Sequence, residues 1–423
     1  MEIAGVITEY NPFHNGHLYH LQQTKKLTEA EALICIMNGN FVQRGYPAII
    51  DKWSRTKMAL DNGVDLVIEL PVVYGIRSAE YFADGAVSLL AATGIVNHLV
   101  FGSEQGQLKP LQQLARILSR EPGYFRKRLK YYLGQGLSFP GARERALIDY
   151  LELESDDRDL LPQLENIISQ PNNILGLEYL KSLIQLDMPL QPHTINRISQ
   201  AYHVEELDSE KQINSATAIR KSLRKRGVDS LRKVMPESCL DILHKAFQQQ
   251  ATPPVIEHLS MMVLGKLRQM SLKEIESFAE TGNGLARRIY RASSDSGDLQ
   301  QLINNIKTRA FTETRIRRVI LQILLGLRER DCREVDEKGP AYLRILGFNK
   351  QGENILSRLA DNSQLPLVTR PVQYLTQPKI NSSDPLEKQL SFDLLASDLY
   401  ALLSPGIDQR QGRQDFYTPL VKV

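Results

Sequence analysis

Four short apolar runs recur along the first part of the chain, and a more polar stretch follows each of them. The runs are "IAGVIT" (3–8), "ALICIM" (32–37), "DLVIEL" (65–70) and "HLVFGS" (98–103). Between the runs, apolar positions recur at helical spacing in residues 16–29, 51–63 and 78–93. Near-continuous Val, Ile and Leu runs separated by helices are typical of a parallel sheet covered on both faces. The pattern predicts an α/β fold with a Rossmann-like doubly wound parallel sheet and right-handed crossovers.

The chain changes character after the fourth run. Residues 104–170 are polar and helical in pattern, with breaks at three prolines, and we interpret them as a helical insertion or connection. The breaks are at Pro110, Pro122 and Pro140. The segment "PLQPHTINRI" (189–198) follows a helical stretch and is predicted to be a strand that returns the chain to the sheet.

From about residue 230 onward the pattern is mainly helical and leaves room for strands only in the last hundred residues. We therefore place a domain boundary there. Residues 1–230 are predicted to form the α/β domain, and residues 231–423 a mainly α-helical C-terminal region. A chain of 423 residues is long enough for two or three cores, which agrees with this division.

Composition narrows the class of protein. Hydrophobic residues make up 42% and charged residues 24% of the chain, which are ordinary values for a globular protein. No apolar run approaches the roughly 20 residues of a membrane helix, and no secretion signal precedes the first strand. Cys35, Cys239 and Cys332 are too far apart for a disulfide framework or a metal knuckle, and we expect each to be an inert core residue. These features favour a cytoplasmic protein with no membrane partner.

The net charge of +3 is too small to indicate a partner, but basic residues are concentrated in three predicted helices. The basic segments are "RKSLRKRG" (220–227), "ARRIYR" (286–291) and "KTRAFTETRIRR" (307–318). Such segments form a positive surface if they lie on one side of the fold.

The segment "EYNPFHNGHLYH" begins where the first predicted strand ends, and ligands bind at the carboxyl ends of strands in such sheets. At about 100° per residue, His14 and His17 share a helix face, whereas His14 and His20 diverge by about 120°. This geometry disfavours a shared metal ion, and no Cys or His follows at metal-ligand spacing. We therefore predict no metal ligands here.

Two interpretations of the segment stay open on spacing alone. In the first, it is only a helix start, with His14 or Asn15 near the cap and the other histidines packed or exposed. In the second, Pro12 stiffens the turn and Gly16 lets a ligand approach the backbone. Two imidazoles and the helix N-terminus then present hydrogen-bond donors to one anion, as phosphoryl or nucleotidyl transfer requires.

Two motifs carry a resemblance to a known superfamily. "FHNGH" resembles the HxGH signature of the nucleotidylyltransferases, and "NSATAIRKSL" (214–223) is similar to their second motif, S-x-T-x-I-R. Further stretches resemble one family closely, the bacterial tRNA(Met) cytidine acetate ligases, along essentially the whole chain. These stretches are "MNGNFVQRGYPAIIDKWSRTKMAL" (37–60), "GVDLVIELP" (63–71), "QPNNILGLEYLKSL" (170–183) and "YLRILGF" (342–348).

The resemblance implies a reaction in two steps. ATP activates acetate as acetyl-adenylate with release of pyrophosphate, and the acetyl group then passes to N4 of the wobble cytidine, C34, of elongator tRNA(Met). Acetate is already a nucleophile, so positioning and charge stabilisation suffice and no covalent enzyme nucleophile is required. Mg²⁺ is expected to accompany ATP through its phosphates and water, with no protein ligand named.

The resemblance also implies the site residues. His14 and His17 would contact the ATP phosphates and stabilise the transition state. Ser215, Thr217 and Arg220 in the second motif would bind the leaving phosphates. The implied ATP contacts are Ile7, Thr8, Glu9, Tyr10, Asn11, Pro12, Phe13, His14, Asn15, Gly16, His17, Leu18, Tyr19, His20, Gly102, Asn172, Arg197, Ser215, Thr217 and Arg220.

Several of these positions also have plain structural interpretations. Gly102 can simply end a strand, Arg197 and Arg220 can be solvated surface residues, and Asn172 can cap the helix that follows it. Whether Asn172 or Asn173 faces the nucleotide stays open.

For tRNA, the basic segments after residue 285 are the candidates, with Tyr290 or Phe311 available for stacking on a base. The predicted phosphate contacts are Arg287, Arg288, Arg291, Lys307, Arg309, Arg315, Arg317 and Arg318. A solvated helix face is the alternative. The motifs also allow two other functions, a nucleotidylyltransferase acting on a phosphorylated metabolite and an RNA-binding protein with a regulatory nucleotide site.

Overall fold

A largely parallel β-sheet lies at the centre of the computed structural model, which describes residues 1–137, 139–187, 189–198, 207–208 and 211–423. The strands are β1 (Ile3–Thr8), β2 (Ala32–Asn38), β3 (Phe41–Val42), β4 (Tyr46–Pro47), β5 (Leu66–Leu70), β6 (His98–Ser103), β7 (Gln191–Asn196), β8 (Leu343–Phe348), β9 (Leu367–Val368) and β10 (Val421–Lys422). Strands β3 and β4 form a separate antiparallel hairpin.

The five strands β5, β2, β1, β6 and β7 lie side by side in this order and are all parallel. This confirms the predicted doubly wound sheet. The chain starts at β1, builds outward through β2 to β5, and then returns to the other side of β1 with β6. In such sheets a crevice opens at the carboxyl ends of the two strands where the order reverses, here β1 and β6.

The helices surround this sheet. They are α1 (Asn15–Thr28), α2 (Lys52–Leu60), α3 (Val72–Gly75), α4 (Ala79–Ala92), α5 (Leu108–Arg120), α6 (Gly123–Gly134), α7 (Phe139–Leu153), α8 (Leu161–Ile168), α9 (Pro171–Leu186), α10 (Ala216–Arg226), α11 (Glu237–Gln248), α12 (Ile256–Arg268), α13 (Leu272–Glu276), α14 (Leu285–Ser294), α15 (Leu299–Ile306), α16 (Glu313–Leu325), α17 (Glu329–Lys338), α18 (Lys350–Asn362), α19 (Pro385–Ala401) and α20 (Gln414–Tyr417). Short 3₁₀ turns lie at Arg158–Leu160, Val228–Leu231, Pro371–Gln373 and Ile407–Gln409. The predicted helices between the first four strands correspond to α1, α2 and α4, and the described part of residues 104–170 contains α5, α6, α7 and α8.

The C-terminal region adds strands to the same sheet. Strand β8 pairs antiparallel with β5, so that Leu66 faces Phe348 and Glu69 faces Arg344, and β9 and β10 pair with β8. One hydrophobic core includes residues from both parts of the chain, such as Ile68 and Ile345. The sheet therefore extends beyond the predicted α/β domain, and the division at residue 230 stays a prediction.

A buried group of charges joins the C-terminal region to the sheet. The Lys52 ammonium lies 2.9 Å from Glu69 and 2.7 Å from Asp415, and Arg344 lies 3.3 Å from Asp415. All four side chains are almost completely buried. Because two cations face two carboxylates without solvent, the group is held together only while each charge keeps its partner.

The three cysteines are buried free thiols, as expected, and burial raises the pKa of each to about 12. Among the described residues, none of the helices is both long enough and apolar enough to span a bilayer.

Candidate active site

The loop after β1 places two histidines at the start of α1. His14 is the N-cap residue, and its Nδ1 accepts a hydrogen bond from the backbone N–H of Gly16 at 3.1 Å. The backbone N–H of His14 in turn donates to Nδ1 of His17 at 3.3 Å. The two rings are stacked with centroids 3.8 Å apart. The cap is therefore His14 rather than Asn15, and the two imidazoles form a reciprocal capping box.

Burial sets the charge of the two stacked rings, and these hydrogen bonds set which ring nitrogen carries the proton. Burial, together with the positive charges of Arg197 and Arg220, lowers the pKa of His14 to about 3. Burial also holds the pKa of His17 well below its usual range. Both rings are thus neutral at neutral pH, and both Nδ1 atoms accept a backbone proton. It follows that each ring carries its own proton on Nε2, so the stack offers two uncharged N–H donors.

The loop between β1 and α1 is held by four hydrogen bonds to other elements. Asn11 Oδ1 accepts from the backbone of Ile49 at 2.7 Å, and the Asn11 carbonyl accepts from Arg220 at 2.8 Å. Glu9 Oε1 accepts from the backbone of Gln43 at 2.8 Å, and its carbonyl accepts from Arg55 at 2.7 Å. The site geometry is thus fixed by residues far along the chain.

Four side chains of residues 7–20 pack in the hydrophobic core. The side chains of Tyr10 and Phe13 are fully buried in the core, and those of Leu18 and Tyr19 pack against the same core. These four can contribute to a nucleotide site mainly by positioning the backbone.

His20 is the third histidine of this segment. Burial lowers its pKa to about 4, and the nearby charge of Arg197 acts in the same direction. Its Nε2 is buried and has no hydrogen-bond partner among the described residues.

The second predicted motif lies against the first. Ser215 caps α10 by accepting from the N–H of Ala218 at 3.1 Å, and Gly227 is the C-cap residue of the helix. Arg220 donates to the Asn11 carbonyl and to Thr217 Oγ1 at 3.2 Å. The interpretation of Arg220 as a solvated surface residue is therefore wrong.

Strand β7 brings Arg197 to the same place. Its backbone N–H donates to the Ser103 carbonyl at 3.0 Å, which extends the pairing of β7 with β6. A Cβ atom at Gly102 would lie 3.0 Å from Cγ of Arg197, so a glycine here leaves room for the arginine side chain. The structure thus brings Arg197 and Arg220 close enough to the histidine stack to affect its pKa values.

The two asparagines at the start of α9 have different surroundings. Asn173 is fully buried, accepts from the Glu104 backbone at 3.0 Å and donates to the Asn166 carbonyl at 3.3 Å. Asn172 is half-buried and donates to Glu104 Oε1 at 2.7 Å. In the described part of the chain, nothing donates to Oδ1 of Asn172. Asn173 is therefore a structural residue, and Asn172 is the one of the pair that can face a ligand.

Sequence reasoning missed Glu104 and Arg55. The Glu104 carboxylate accepts from the backbone N–H groups of Asn172 at 3.1 Å and Asn173 at 2.8 Å, and so caps α9 from outside the helix. Arg55 is fully buried and donates to the carbonyl of Glu9, after β1, and to that of Asn38, at the end of β2. The available signal for Glu104 was an acidic residue directly after a strand end, at the edge where ligands bind.

Comparisons with known proteins identify the family. The sequence model described as HIGH Nucleotidyl Transferase matches residues 1–415. The tRNA(Met) cytidine acetate ligase of Halothermothrix orenii is 49% identical over 422 residues, covering 100% of both chains. That of Acetivibrio thermocellus is 42% identical, covering 98% of each chain. The chain belongs to the tRNA(Met) cytidine acetate ligase family.

Solved structures of this family have the same fold. The crystal structure of Thermotoga maritima TmcAL bound with alpha-thio ATP is 34% identical and matches with a TM-score of 0.90. The apo structure of the same protein matches with a TM-score of 0.93, and both comparisons cover 100% of each chain. The predicted fold class and family are thereby confirmed.

The basic residues predicted above to contact the phosphates of tRNA divide into an exposed and a buried group. The exposed ones are Arg287, Arg288 and Arg291 on α14, together with Lys307 and Arg309 after α15. Tyr290 on α14 is also exposed and available for stacking.

The structure corrects the prediction for α16. Arg317 is only 5% exposed, pairs with Glu313 at 2.8 Å and lies over the ring of Tyr46 at 4.0 Å. Phe311 is buried in the core. The predictions that Arg317 faces phosphate and that Phe311 stacks on a base are therefore wrong, because α16 packs against the β3–β4 hairpin.

Two more arginines of α16 interact with one acidic residue. Arg315 donates to the Glu280 carbonyl at 2.8 Å, and Arg318 lies 3.7 Å from the Glu280 carboxylate. The Arg318 side chain is only 12% exposed, so little of its guanidinium is accessible to a phosphate. Within the described ranges, no group of three or more His, Cys, Asp or Glu side chains is placed to hold a metal ion.

The lowered histidine pKa values predict that the protein loses stability as the pH falls below about 6.5. An unfolded histidine takes up a proton near that pH, whereas His14 and His20 stay neutral in the fold down to pH values of about 3 and 4. The unfolded state therefore binds more protons at pH 5.5 than the folded state. Each such histidine should lower the free energy of unfolding by up to about 1.4 kcal/mol per pH unit, measured by urea denaturation.

Carboxylates also make the free energy of unfolding depend on pH. Matched histidine variants therefore isolate the contribution of His20. His20→Gln should reduce the difference in stability between pH 7.5 and 5.5. His244→Gln is the matched control at a histidine whose side chain is 40% exposed. Equal pH dependence in the two variants would show that burial of His20 is not linked to folding.

Proposed function

We propose that the chain activates acetate with ATP, giving acetyl-adenylate and pyrophosphate, and transfers the acetyl group to N4 of C34 in elongator tRNA(Met). The observation that carries this proposal is the pair of stacked neutral imidazoles at the N-terminus of α1, with Arg197 and Arg220 beside them. The names of the relatives and the alpha-thio ATP bound by one solved family member support it.

In the first step, an acetate oxygen attacks the α-phosphorus of ATP, and the bond from that phosphorus to the bridging oxygen of pyrophosphate breaks. Negative charge grows on the phosphate oxygens in the transition state. The Nε2–H groups of His14 and His17 donate to these oxygens without carrying charge themselves, and the positive end of α1 points the same way. The imidazoles can thus bind the growing charge while their own protons stay in place.

The leaving pyrophosphate needs fixed positive charge. Arg220 supplies it beside Ser215 and Thr217 at the first turn of α10, where backbone N–H groups are also available. Arg197 supplies a second guanidinium from the end of β7. Asn172, held by Glu104, offers its side-chain oxygen to the nucleotide. We also propose that Mg²⁺ accompanies ATP through phosphate oxygens and water.

In the second step, N4 of the cytidine attacks the acetyl carbonyl carbon, the bond from that carbon to the AMP oxygen breaks, and N4 loses a proton. A cytidine in a stacked loop must be turned out to reach the adenylate. No enzyme thioester is needed. Cys35, the cysteine nearest the site, is an unsuitable nucleophile because burial raises its thiol pKa to about 12.

The test is a reconstituted reaction with purified protein, ATP and radiolabelled acetate, with and without tRNA from a strain that lacks the modification. We expect acetate-dependent release of pyrophosphate and label at C34 of tRNA(Met). A tRNA(Met) transcript carrying uridine at position 34 is the matched control and should take up no label, because uridine has no N4 amine.

Two outcomes would contradict the proposal. Pyrophosphate release driven by a phosphorylated metabolite, with no effect of acetate, would indicate a small-molecule nucleotidylyltransferase. ATP binding without any turnover would indicate a regulatory nucleotide site on an RNA-binding protein.

A further inference from the structure

Helix α6 is a basic helix in the segment between β6 and β7, and none of the functional assignments above uses it. Its sequence, "GYFRKRLKYYLG", contains four basic residues, three tyrosines and no acidic residue. The helix is fixed to the protein by Phe125, which is buried in the core, and by Arg128, which binds Asp149 on α7 and Tyr132.

The other basic side chains of α6 lie on the opposite face. Arg126, Lys127 and Lys130 are exposed, and at about 100° per residue they point away from Phe125. In the described part of the protein, none of the three forms an ion pair. Lys130 lies three residues after Lys127 and four after Arg126, so it is beside both on the helix surface and the three form one contiguous positive surface.

Exposed aromatic residues flank this surface. Tyr131 is 52% exposed at its edge, and Phe139 at the start of α7 is 56% exposed. The Arg128 guanidinium lies 5.0 Å from the Tyr131 ring. Positive charge combined with solvent-facing aromatic rings is the arrangement that binds single-stranded or looped RNA, through phosphates and unstacked bases.

The position of the α6–α7 hairpin supports a role in the reaction. Arg143 on α7 lies 3.4 Å from Glu178 on α9, and α9 begins with Asn172 at the nucleotide site. The hairpin is therefore attached to a helix that helps to form the site.

We propose that the exposed face of α6, defined by Arg126, Lys127, Lys130 and Tyr131, is a binding surface for the tRNA substrate. The three cations contact backbone phosphates, and Tyr131 stacks on an unpaired base. This inference rests on the proposed function, since a tRNA substrate is what supplies the negative charge that the surface complements. It adds a second RNA contact to the exposed arginines of α14.

The experiment measures binding of tRNA(Met) to the full chain by filter binding over a series of KCl concentrations. The triple variant Arg126→Ala/Lys127→Ala/Lys130→Ala should raise Kd roughly tenfold to a hundredfold at low salt. It should also flatten the slope of log affinity against log salt by about two to three units, because three phosphate contacts are lost. Tyr131→Ala should raise Kd by about tenfold with the slope unchanged.

Two controls distinguish the loss of this surface from a general loss of positive charge and from misfolding. The variant Lys25→Ala/Lys26→Ala/Lys245→Ala removes the same charge from exposed positions on α1 and α11 and should bind tRNA nearly as well as the wild type. Acetate-dependent pyrophosphate release without tRNA should be unchanged in all variants. The double variant Lys127→Gln/Lys130→Gln keeps an unbranched polar side chain with similar helix propensity at both positions, so it tests the charge even if the triple variant folds poorly.

The outcomes for this surface and for the proposed function are distinguishable. If the wild type binds tRNA and the α6 variants bind it equally well, the α6 surface is not an RNA site and the proposed function is unaffected. If the wild type binds no tRNA at all, the proposed function fails and this inference fails with it.

Discussion

Replacing His17 with alanine is expected to lower the rate constant for acetate-dependent pyrophosphate release by about 10²–10³-fold. In the proposed mechanism the variant loses an Nε2–H donor to the oxygens on which charge develops, and losses of this size are typical of removing one such donor. The same change removes the acceptor of the His14 backbone N–H, so the capping box opens at the proposed phosphate site. The measurement is kcat and KM for ATP at saturating acetate.

A matched control is His244→Ala, at a histidine whose side chain is 40% exposed on α11. It should retain wild-type rates. In His17→Ala the fall should lie mainly in kcat rather than in KM, because the interaction strengthens in the transition state. A loss confined to KM would contradict a catalytic role and indicate only ground-state binding. A threefold or smaller effect on kcat would contradict the proposed mechanism.

Replacing Lys52 with methionine is expected to lower the free energy of unfolding by about 3–5 kcal/mol. Methionine fills much of the same volume, so the cost comes from charge. Glu69 would remain buried without its ammonium partner, and Asp415 would keep only Arg344. Removing one partner of a buried ionic group typically costs this much. Urea denaturation at pH 7.5 measures the change through the transition midpoint and its slope.

Lys57→Met is the matched control on the same helix. Its side chain is 48% exposed and lies 3.2 Å from Asp61, and an exposed pair of this kind contributes about 0–1 kcal/mol. Adding Glu69→Gln to Lys52→Met should restore part of the lost stability, because it removes the buried carboxylate that lost its ion-pair partner. Similar midpoints for Lys52→Met and Lys57→Met would show that the buried group is unimportant for folding.

Much of the fold could be predicted because the central strands are buried on both faces. β1, β2, β5 and β6 are apolar along most of their length, so each is recognisable from a few consecutive residues. β8 is equally buried, but its neighbour β5 lies far back in the chain and runs in the opposite direction. Local periodicity contains no information about a pairing of that kind.

The same distinction between local and distant contacts applies to the site. The histidine stack and the cap of α10 each arise within one of the two short motifs that carry the resemblance. Glu104 acts on a helix 68 residues further on, which no spacing rule reveals. Arg317 looked available for RNA because its helix is basic, but Glu313 one turn earlier and Tyr46 from a distant hairpin bury it.

The late position of β8 also affects how long the protein takes to complete its sheet during synthesis. β5 ends at Leu70 and β8 begins at Leu343, so about 270 residues must be made before the partner strand exists. At typical rates of about 5–20 residues per second, this interval lasts roughly 15 to 50 seconds. Throughout it, the apolar strand β5 has an unpaired edge beside the ribosome, which makes this interval the period of greatest exposure to aggregation and to chaperone capture.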